Sequence, residues 1–344
     1  MTTYFSTFTS GLQEIIAQAL PQALPEARIQ QLLDGLVIYE SNRPLQQVTS
    51  LRLFNNTFIA LYPVQQLPPG GLHQLLQRVM QKPNDLRIPG WAIKKARSFR
   101  LMASRENQTI SIKRELLERL ESFFSHRLRL RVSRSKADVE VWFIERSEGL
   151  GLVGLRVTRN PAMEKNLHKG ELRPELAHCL CLLSEPQGSD VFLDPFAGSG
   201  AIPLERASHF PYRRIIAVDQ EENAVTGLSR HLPRDERVQS FAADARRLTS
   251  LVDGSINKIV TDPPWGFYEE RRAETITDFY GEMLAEFARL LKDDGLLVVL
   301  MGQKERFEEA LAGCTGRLAL LGKWDILVSG KKAAIYKARK LPAS

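Results

Sequence analysis

The hexapeptide TDPPWG at Thr261–Gly266 places a carboxylate, two prolines, an aromatic ring and a glycine side by side. It follows an apolar run, Ile256–Val260, that reads as a strand. Two consecutive prolines remove two backbone donors and restrict the chain, which indicates a loop with one fixed shape. Such a loop could present the Asp262 carboxylate and the Pro263 carbonyl as two fixed hydrogen-bond acceptors. The alternative interpretation is a proline-stiffened turn with a core tryptophan.

Two fixed acceptors suit an exocyclic amine of a nucleobase, whose lone pair is delocalised into the ring and is therefore a poor nucleophile. Acceptors at Asp262 and Pro263 could bind its two hydrogens and turn the lone pair toward an electrophile. Trp265 could stack on the base, and Gly266 leaves room for it. We therefore predict Asp262, Pro263, Pro264 and Trp265 as the catalytic residues.

A second candidate site, VFLDPFAGSGAIPLERA at Val191–Ala207, reads as a strand, an acidic tip, a glycine loop and a helix. Its glycines allow a ligand to approach the backbone closely, and a helix N-terminus favours electron-rich groups. A dinucleotide fingerprint would need a third glycine where Pro203 stands, and the Gly-Lys-Ser/Thr of a phosphate loop is absent. Asp194 at the strand tip would repel a pyrophosphate and hold a cationic amino group. The loop therefore favours S-adenosylmethionine as the cofactor.

Acidic residues also close the next two predicted strands. Asp219 ends an apolar strand at a position from which it could accept both ribose hydroxyls of an adenosine. Asp244 follows the third strand and could accept from the adenine amino group. Three acids on successive strand ends beside one glycine loop are hard to obtain by chance. The predicted cofactor-binding residues are Asp194, Pro195, Ala197, Gly198, Gly200, Asp219, Gln220, Asp244, Ala245 and Asp262.

Strands and helices alternate from about residue 165, and this pattern predicts an α/β domain with a doubly wound parallel sheet. Two final strands separated by a short Gly-Lys-Lys turn predict an antiparallel pair at the C-terminal end. The front half reads as α+β, with the turn-rich segment Gln65–Gly71 as a boundary. No cysteine lies between Cys181 and Cys314, which argues against carbon methylation through a cysteine nucleophile.

The net charge of +7 is concentrated between Trp91 and Ala137, where thirteen Lys/Arg face four Glu. The segment Leu128–Arg134 alternates and predicts a strand with arginines on one face, while Ser111–Phe124 predicts a helix opened by a serine cap. Arginine forms paired bonds to phosphate oxygens, so this region indicates a polyanion partner. A solvated helix face with charged strand edges is the alternative. The predicted RNA-binding residues are Arg129, Arg131, Arg134, Lys113 and Arg114.

Three cysteines form neither a disulfide framework nor a common zinc pattern, so we expect buried thiols and no metal. The N-terminus lacks a secretory signal, and the longest apolar run is too short to span a bilayer. The expectation is a cytoplasmic protein, not bound to membranes, that acts as a monomer.

Together these segments resemble the THUMP-domain RNA methyltransferases over nearly the whole chain. DPFAGSG and DPPWG match the family's cofactor and catalytic loops, and Leu172-Arg173-Pro174 matches the helical lead-in to its catalytic domain. The resemblance implies a ferredoxin-like domain at 1–70, a THUMP RNA-binding domain at 71–160 and a Rossmann-like class I methyltransferase domain at 165–344. The last would have a seven-stranded, mostly parallel sheet with an antiparallel C-terminal hairpin.

The branch most similar in its motifs methylates the N2 amine of guanosine in tRNA, so the resemblance implies tRNA as the partner. Trp265 stands where the family more often has tyrosine or phenylalanine, and Glu171 where it usually has a small residue. Three alternatives stay open. They are N2-guanine methylation of rRNA, N6-adenine methylation of RNA or DNA, and a non-catalytic RNA-binding protein with a degenerate methyltransferase domain. The intact set of four aspartates argues against degeneration.

Overall fold

The computed structural model describes residues 1–158, 172–266, 273–328 and 330–342 of the chain. The chain forms two compact units, one of Met1–Phe8 with Ala17–Asn160 and the other of Thr9–Ile16 with Pro161–Ser344. The α-helices of the described residues are α1 (Gln13–Ala23), α2 (Leu45–Thr49), α3 (Leu72–Gln81), α4 (Gly90–Ile93), α5 (Arg114–Leu128), α6 (Pro174–Leu183), α7 (Ala201–His209), α8 (Glu222–His231), α9 (Ala273–Leu290) and α10 (Lys304–Ala312).

The first unit is built on one ten-stranded sheet. Its strands are β1 (Thr2–Thr7), β2 (Arg28–Leu33), β3 (Leu36–Ser41), β4 (Asn56–Ala60), β5 (Gln65–Gln66), β6 (Ser98–Arg105), β7 (Gln108–Ile110), β8 (Arg131–Val132), β9 (Val139–Glu145) and β10 (Leu150–Arg156). Eight of them follow the order β2-β3-β1-β4-β10-β9-β6-β7, while β5 pairs with β10 and β8 with β6. Strands from both predicted front domains therefore share one sheet. The division of these domains at residue 70 stays a prediction.

The predicted strand Leu128–Arg134 is wrong. Helix α5 continues to Leu128, Arg129 adopts the left-handed conformation with φ of 56°, and only Arg131–Val132 forms a short strand. The cause is an apolar stripe that repeats every four residues, so Leu128 completes a helix face instead of beginning an alternation. The buried apolar residues of this stripe are Leu116, Leu120, Phe124 and Leu128.

The predicted serine cap at Ser111 is also wrong. Helix α5 begins at Arg114, and Lys113 occupies the capping position without a side-chain capping bond. The first turn of α5 therefore has no side-chain acceptor at its N-cap. Glu115 places a carboxylate in that turn, which favours the positive end of the helix dipole.

The second unit is built on a seven-stranded sheet with the order β13-β12-β11-β14-β15-β17-β16. The strands are β11 (Val191–Asp194), β12 (Arg214–Asp219), β13 (Val238–Ala242), β14 (Ile256–Thr261), β15 (Leu291–Met301), β16 (Leu318–Val328) and β17 (Lys331–Lys340). The first five strands in this order are parallel to one another, and β17 is antiparallel to both β15 and β16. This arrangement confirms the predicted fold class, a mostly parallel sheet with an antiparallel C-terminal hairpin.

An apolar core joins this sheet to helices α9 and α10. Tyr280 and Phe287 of α9 and Phe307 of α10 are almost completely buried in it. Ile259, Val260 and Thr261 at the end of strand β14 are buried, because this strand lies between β11 and β15. The carboxyl ends of the parallel strands meet at one edge of the sheet, where open α/β sheets bind ligands. The four aspartates singled out from the sequence lie at this edge.

Candidate active site

The two loops predicted to do chemistry leave neighbouring strands. Strands β11 and β14 pair in parallel, with Leu193 opposite Ile259. The hydroxyl of Thr261, the last residue of β14, donates a hydrogen bond of 2.7 Å to Oδ1 of Asp194 at the end of β11. The bond therefore joins the start of the cofactor loop to the end of the strand that leads into the catalytic loop.

Asp194 is a buried carboxylate, with only 1% of its surface exposed. Oδ1 also accepts from the backbone N–H of Phe196 at 3.2 Å. Burial raises the pKa of Asp194 to about 7, because the charged form loses its hydration. Its other oxygen, Oδ2, is buried and has no hydrogen-bond partner among the described residues. A buried, unpaired carboxylate oxygen fits the cationic amino group of S-adenosylmethionine.

The glycine loop after Asp194 combines tight packing with an open side. Gly200 has φ of +91°, and a Cβ there would lie 2.3 Å from Cδ1 of Leu228, so the loop packs closely on helix α8. Gly198 has φ of +49°, and a Cβ there would meet no described atom within 4 Å. Ala197, which precedes Gly198, is buried. The open side at Gly198 is where a ligand could approach the backbone.

Asp219 holds this loop to the end of β12. Its Oδ2 accepts from the N–H of Gly198 at 2.8 Å, and its Oδ1 accepts from the N–H of Glu221 at 3.0 Å. Gln220, the next predicted cofactor residue, is exposed. The structure therefore places the Asp219 carboxylate beside the open side of the loop, and its role in binding the cofactor stays a prediction.

Asp244 has a partner that sequence reasoning missed. Nε of Arg246 donates to its Oδ1 at 3.0 Å and Nη2 donates to its Oδ2 at 2.6 Å, and this pairing lowers the pKa of Asp244. The guanidinium of Arg246 also lies 5.3 Å from the centre of the Phe279 ring. Ala245 between the two is buried. The spacing of Asp and Arg in DARR is the only sequence signal for this pair.

The catalytic loop is held by its own aromatic residue. Nε1 of Trp265 donates to Oδ1 of Asp262 at 2.9 Å, and the indole is partly buried against the apolar core. Burial raises the pKa of Asp262 to about 7, and the bond from Trp265 opposes part of this rise. Pro263 is buried, Pro264 is exposed, and the hydroxyl of Tyr280 donates to the Pro264 carbonyl at 3.1 Å. Sequence reasoning missed Tyr280, because nothing in its spacing connects it to the loop.

The predicted RNA-binding residues do not share one strand face. Arg129 and Arg131 are exposed after helix α5, and Lys113 and Arg114 are exposed at its beginning. Arg134 instead forms two hydrogen bonds, of 2.9 and 2.6 Å, with the carboxylate of the buried Glu121. The role of all five residues in RNA binding stays a prediction.

Within the described ranges, no helix is long and apolar enough to cross a bilayer. No cluster of three or more His, Cys, Asp or Glu is placed to hold a metal ion in the same part of the chain. All three cysteines are free thiols, and Cys179 and Cys181 are buried in helix α6.

Known proteins are similar to this chain in sequence. The UPF0020 family model, an RMKL-like methyltransferase domain, matches residues 161–318. The chain is 28% identical over 211 residues to the tRNA (guanine(6)-N(2))-methyltransferase THUMP3 of Bos taurus, covering 56% of this chain and 41% of that protein. It is 28% identical over 233 residues to the tRNA (guanine(6)-N2)-methyltransferase of Thermus thermophilus, covering 66% of this chain and 68% of that protein. The chain thus spans about two fifths of the length of the bovine relative.

Solved structures extend the likeness to the whole fold. TrmN from Thermus thermophilus superimposes with a TM-score of 0.79 at 21% identity, covering 99% of this chain and 100% of that chain. SMU.472, crystallised in complex with SAH, superimposes with a TM-score of 0.70 at 14% identity, covering 100% and 99%. Residues 161–318 therefore form a methyltransferase domain of the UPF0020 type, and the chain is related to THUMP-type tRNA guanine-N2 methyltransferases at about 28% identity.

Proposed function

We propose that this protein methylates the exocyclic N2 amine of a guanosine in tRNA. The observation that carries the proposal is the Thr261–Asp194 hydrogen bond, which sets the catalytic loop directly beside the cofactor loop. The relatives named as tRNA guanine-N2 methyltransferases support the choice of base and RNA. The basic region around helix α5 supports a polyanionic substrate.

The residues of the cofactor loop suit S-adenosylmethionine. Oδ2 of Asp194 would accept from its amino group, the open side at Gly198 would admit the chain that follows, and Asp219 would accept from the ribose hydroxyls. Asp244 would accept from the adenine amine with the lone pairs that Arg246 leaves available. When bound, this cofactor supplies a methyl group on a sulfonium, which is already a strong electrophile.

The catalytic loop would orient the amine. The Asp262 carboxylate and the Pro263 carbonyl would each accept one of its hydrogens, so that the nitrogen lone pair points toward the cofactor. The amine must lose a proton as the new bond forms. Burial raises the pKa of Asp262 to about 7, so this carboxylate is ionised often enough to accept hydrogen bonds and basic enough to take a proton.

We further propose that the segments 1–70 and 71–160 act as ferredoxin-like and THUMP domains that grip the RNA. In this role, the exposed Lys113, Arg114, Arg129 and Arg131 contact phosphates, since each lies on the surface of the first unit. Arg134 is a weaker candidate, because its guanidinium is engaged by Glu121.

The test is an incubation of the purified protein with unmodified tRNA transcripts and S-adenosylmethionine carrying a deuterated methyl group. Mass spectrometry of the digested nucleosides is expected to show the label in N2-methylguanosine. Ribosomal RNA and single-stranded DNA serve as competing substrates in parallel incubations. Label in N6-methyladenosine, label in rRNA alone, or no label with any substrate would each overturn the proposal.

A further inference from the structure

We propose that Trp265 is a positioning residue whose indole N–H fixes the orientation of the Asp262 carboxylate. The inference rests on the proposed function in one respect, namely that Asp262 is the acceptor for the amine. It assigns to this tryptophan a role that a phenylalanine or tyrosine in the same position cannot fill. Phenylalanine has no donor, and the tyrosine hydroxyl lies at the far end of its ring.

The contact is short and is built into the loop. Nε1 of Trp265 lies 2.9 Å from Oδ1 of Asp262. The two residues that separate Asp262 from Trp265 in the chain are prolines, whose backbones are restricted. The bond engages Oδ1, so Oδ2 is the oxygen that we assign to the amine. A carboxylate held at one oxygen can turn less about its χ2 angle, and it presents the other oxygen in a defined direction.

The indole is held in place by the core and by the contacts of the residues before and after Trp265. Its ring packs against the buried core of the second unit, which includes Tyr280 and Ile276. Tyr280 donates to the carbonyl of Pro264, the residue that precedes the tryptophan. Gly266, the residue that follows it, has φ of +70°, and a Cβ there would lie 3.1 Å from Cδ1 of Ile276. The donor therefore has a fixed place from which to orient Asp262.

The bond also acts on the charge of Asp262. A donor to the ionised carboxylate favours the charged form, so the indole N–H lowers the pKa that burial raises. Among the described residues, the titratable groups that face this part of the loop are Asp194 on the neighbouring strand and the Tyr280 hydroxyl on α9. Asp219 acts on Asp194 from the next strand. Removal of the indole N–H is therefore expected to raise the pKa of Asp262 and leave these neighbours in place.

The first experiment needs no enzymatic activity. The chain has four tryptophans, so protein labelled with ¹⁵N-tryptophan gives four indole N–H resonances, and the Trp265→Phe variant identifies one of them. This resonance is expected to shift with pH around the pKa of Asp262 and to stop shifting in Asp262→Asn. Asp194→Asn is expected to retain the titration. A Trp265 resonance that does not move between pH 5 and pH 9 would overturn the inference.

The second experiment measures methyl transfer by Trp265→Phe, which keeps an aromatic ring and lacks the N–H. We expect kcat at pH 7 to fall roughly ten- to hundredfold, the size of a hydrogen bond to a charged group. We expect the acidic limb of the kcat profile to move to higher pH, with KM for RNA within threefold of the wild type. Trp324→Phe is the matched control, because Nε1 of Trp324 also donates to a carboxylate, that of Glu14 at 3.2 Å, outside the site.

A rise in KM for RNA with an unchanged kcat and pH profile would show that the ring acts by stacking alone, and would overturn the inference. The two experiments also distinguish a failure of this inference from a failure of the proposed function. A wild-type protein that does not methylate guanosine contradicts the proposed function. The pH titration of the indole resonance still decides whether Trp265 holds Asp262.

Discussion

The hydroxyl of Thr261 and the carboxylate of Asp194 form a buried 2.7 Å hydrogen bond between the ends of two neighbouring parallel strands. Thr261 is the last residue before the catalytic loop, and Asp194 is the first residue of the cofactor loop. The bond fixes the distance between the group that would hold the cofactor and the group that would hold the substrate.

Replacement of Thr261 by valine should weaken cofactor binding. The valine has nearly the same shape but lacks the donor, so the buried Asp194 carboxylate loses one of its two hydrogen bonds and its pKa rises further. We expect calorimetry at pH 7 to show an affinity for S-adenosylmethionine lower by about 1–2 kcal/mol. Thr261→Ser keeps the hydroxyl and should bind nearly as tightly as the wild type. Equal affinities of the valine variant and the wild type would argue against the role of this bond.

The contribution of Asp194 to the stability of the protein should fall as the pH rises from about 4 to 7. Burial raises its pKa to about 7, above the value near 3.9 of an exposed aspartate. In that window the folded protein keeps a proton that the unfolded chain has released, so the free energy of unfolding decreases with pH and levels off above it. Urea unfolding of the wild type and of Asp194→Asn at pH 5 and pH 8 measures this contribution, because between the two pH values the wild type should lose more stability, or gain less, than the variant. An identical change in the two proteins would contradict this account.

Alanine at the two glycines of the cofactor loop should have different effects. Gly200→Ala places a Cβ 2.3 Å from Leu228 Cδ1 at a left-handed φ, so it should lower the free energy of unfolding by about 2–4 kcal/mol. Gly198→Ala meets no described atom and should cost only about 1–2 kcal/mol for the left-handed φ. Gly198→Ala should nevertheless weaken cofactor binding at least tenfold, because its methyl group enters the space assigned to the ligand. Thermal unfolding and calorimetry on both variants separate the two effects, and normal cofactor affinity in Gly198→Ala would place the ligand elsewhere.

Arg134 should contribute to stability more than to RNA binding. Its guanidinium pairs with Glu121, whose side chain is 9% exposed while that of Arg134 is 60% exposed. Because solvent screens the arginine, we expect Arg134→Ala to lower the free energy of unfolding by only about 1 kcal/mol. Arg131→Ala should leave stability unchanged, since Arg131 is exposed. A double-mutant cycle with Glu121→Gln measures the coupling, and a coupling energy of zero would rule out the pair as a stabilising contact.

The sequence predicted the sheet and the loops of the second unit because both depend on local pattern. Buried apolar runs, each followed by an acidic residue, define β11, β12 and β14, and parallel strands bring their carboxyl ends to one edge. This logic places Asp194, Asp219 and Asp262 at that edge without any knowledge of side-chain partners, while their roles in binding stay predictions.

The side-chain partners depend on geometry that the sequence does not contain. Tyr280 lies on a helix, and only the packing of α9 on the sheet brings its hydroxyl to Pro264. The stacking interpretation considered only the ring face of Trp265, whereas the turn of the loop also directs its N–H to Asp262. Near Leu128 the pattern itself was ambiguous. Leu128 fits both the four-residue spacing of the residues before it and the alternating spacing of the residues after it. Its burial with the apolar stripe of the helix favours the helix.

The most direct test of the central claim is a comparison of Asp262→Ala with the wild type on unmodified tRNA. Single-turnover transfer of a deuterated methyl group is followed by nucleoside mass spectrometry, and cofactor affinity is measured by calorimetry on the same preparations. The account predicts labelled N2-methylguanosine with the wild type, no detectable label with Asp262→Ala, and cofactor affinities within a few-fold of each other. Near-normal transfer of the label by Asp262→Ala would contradict it.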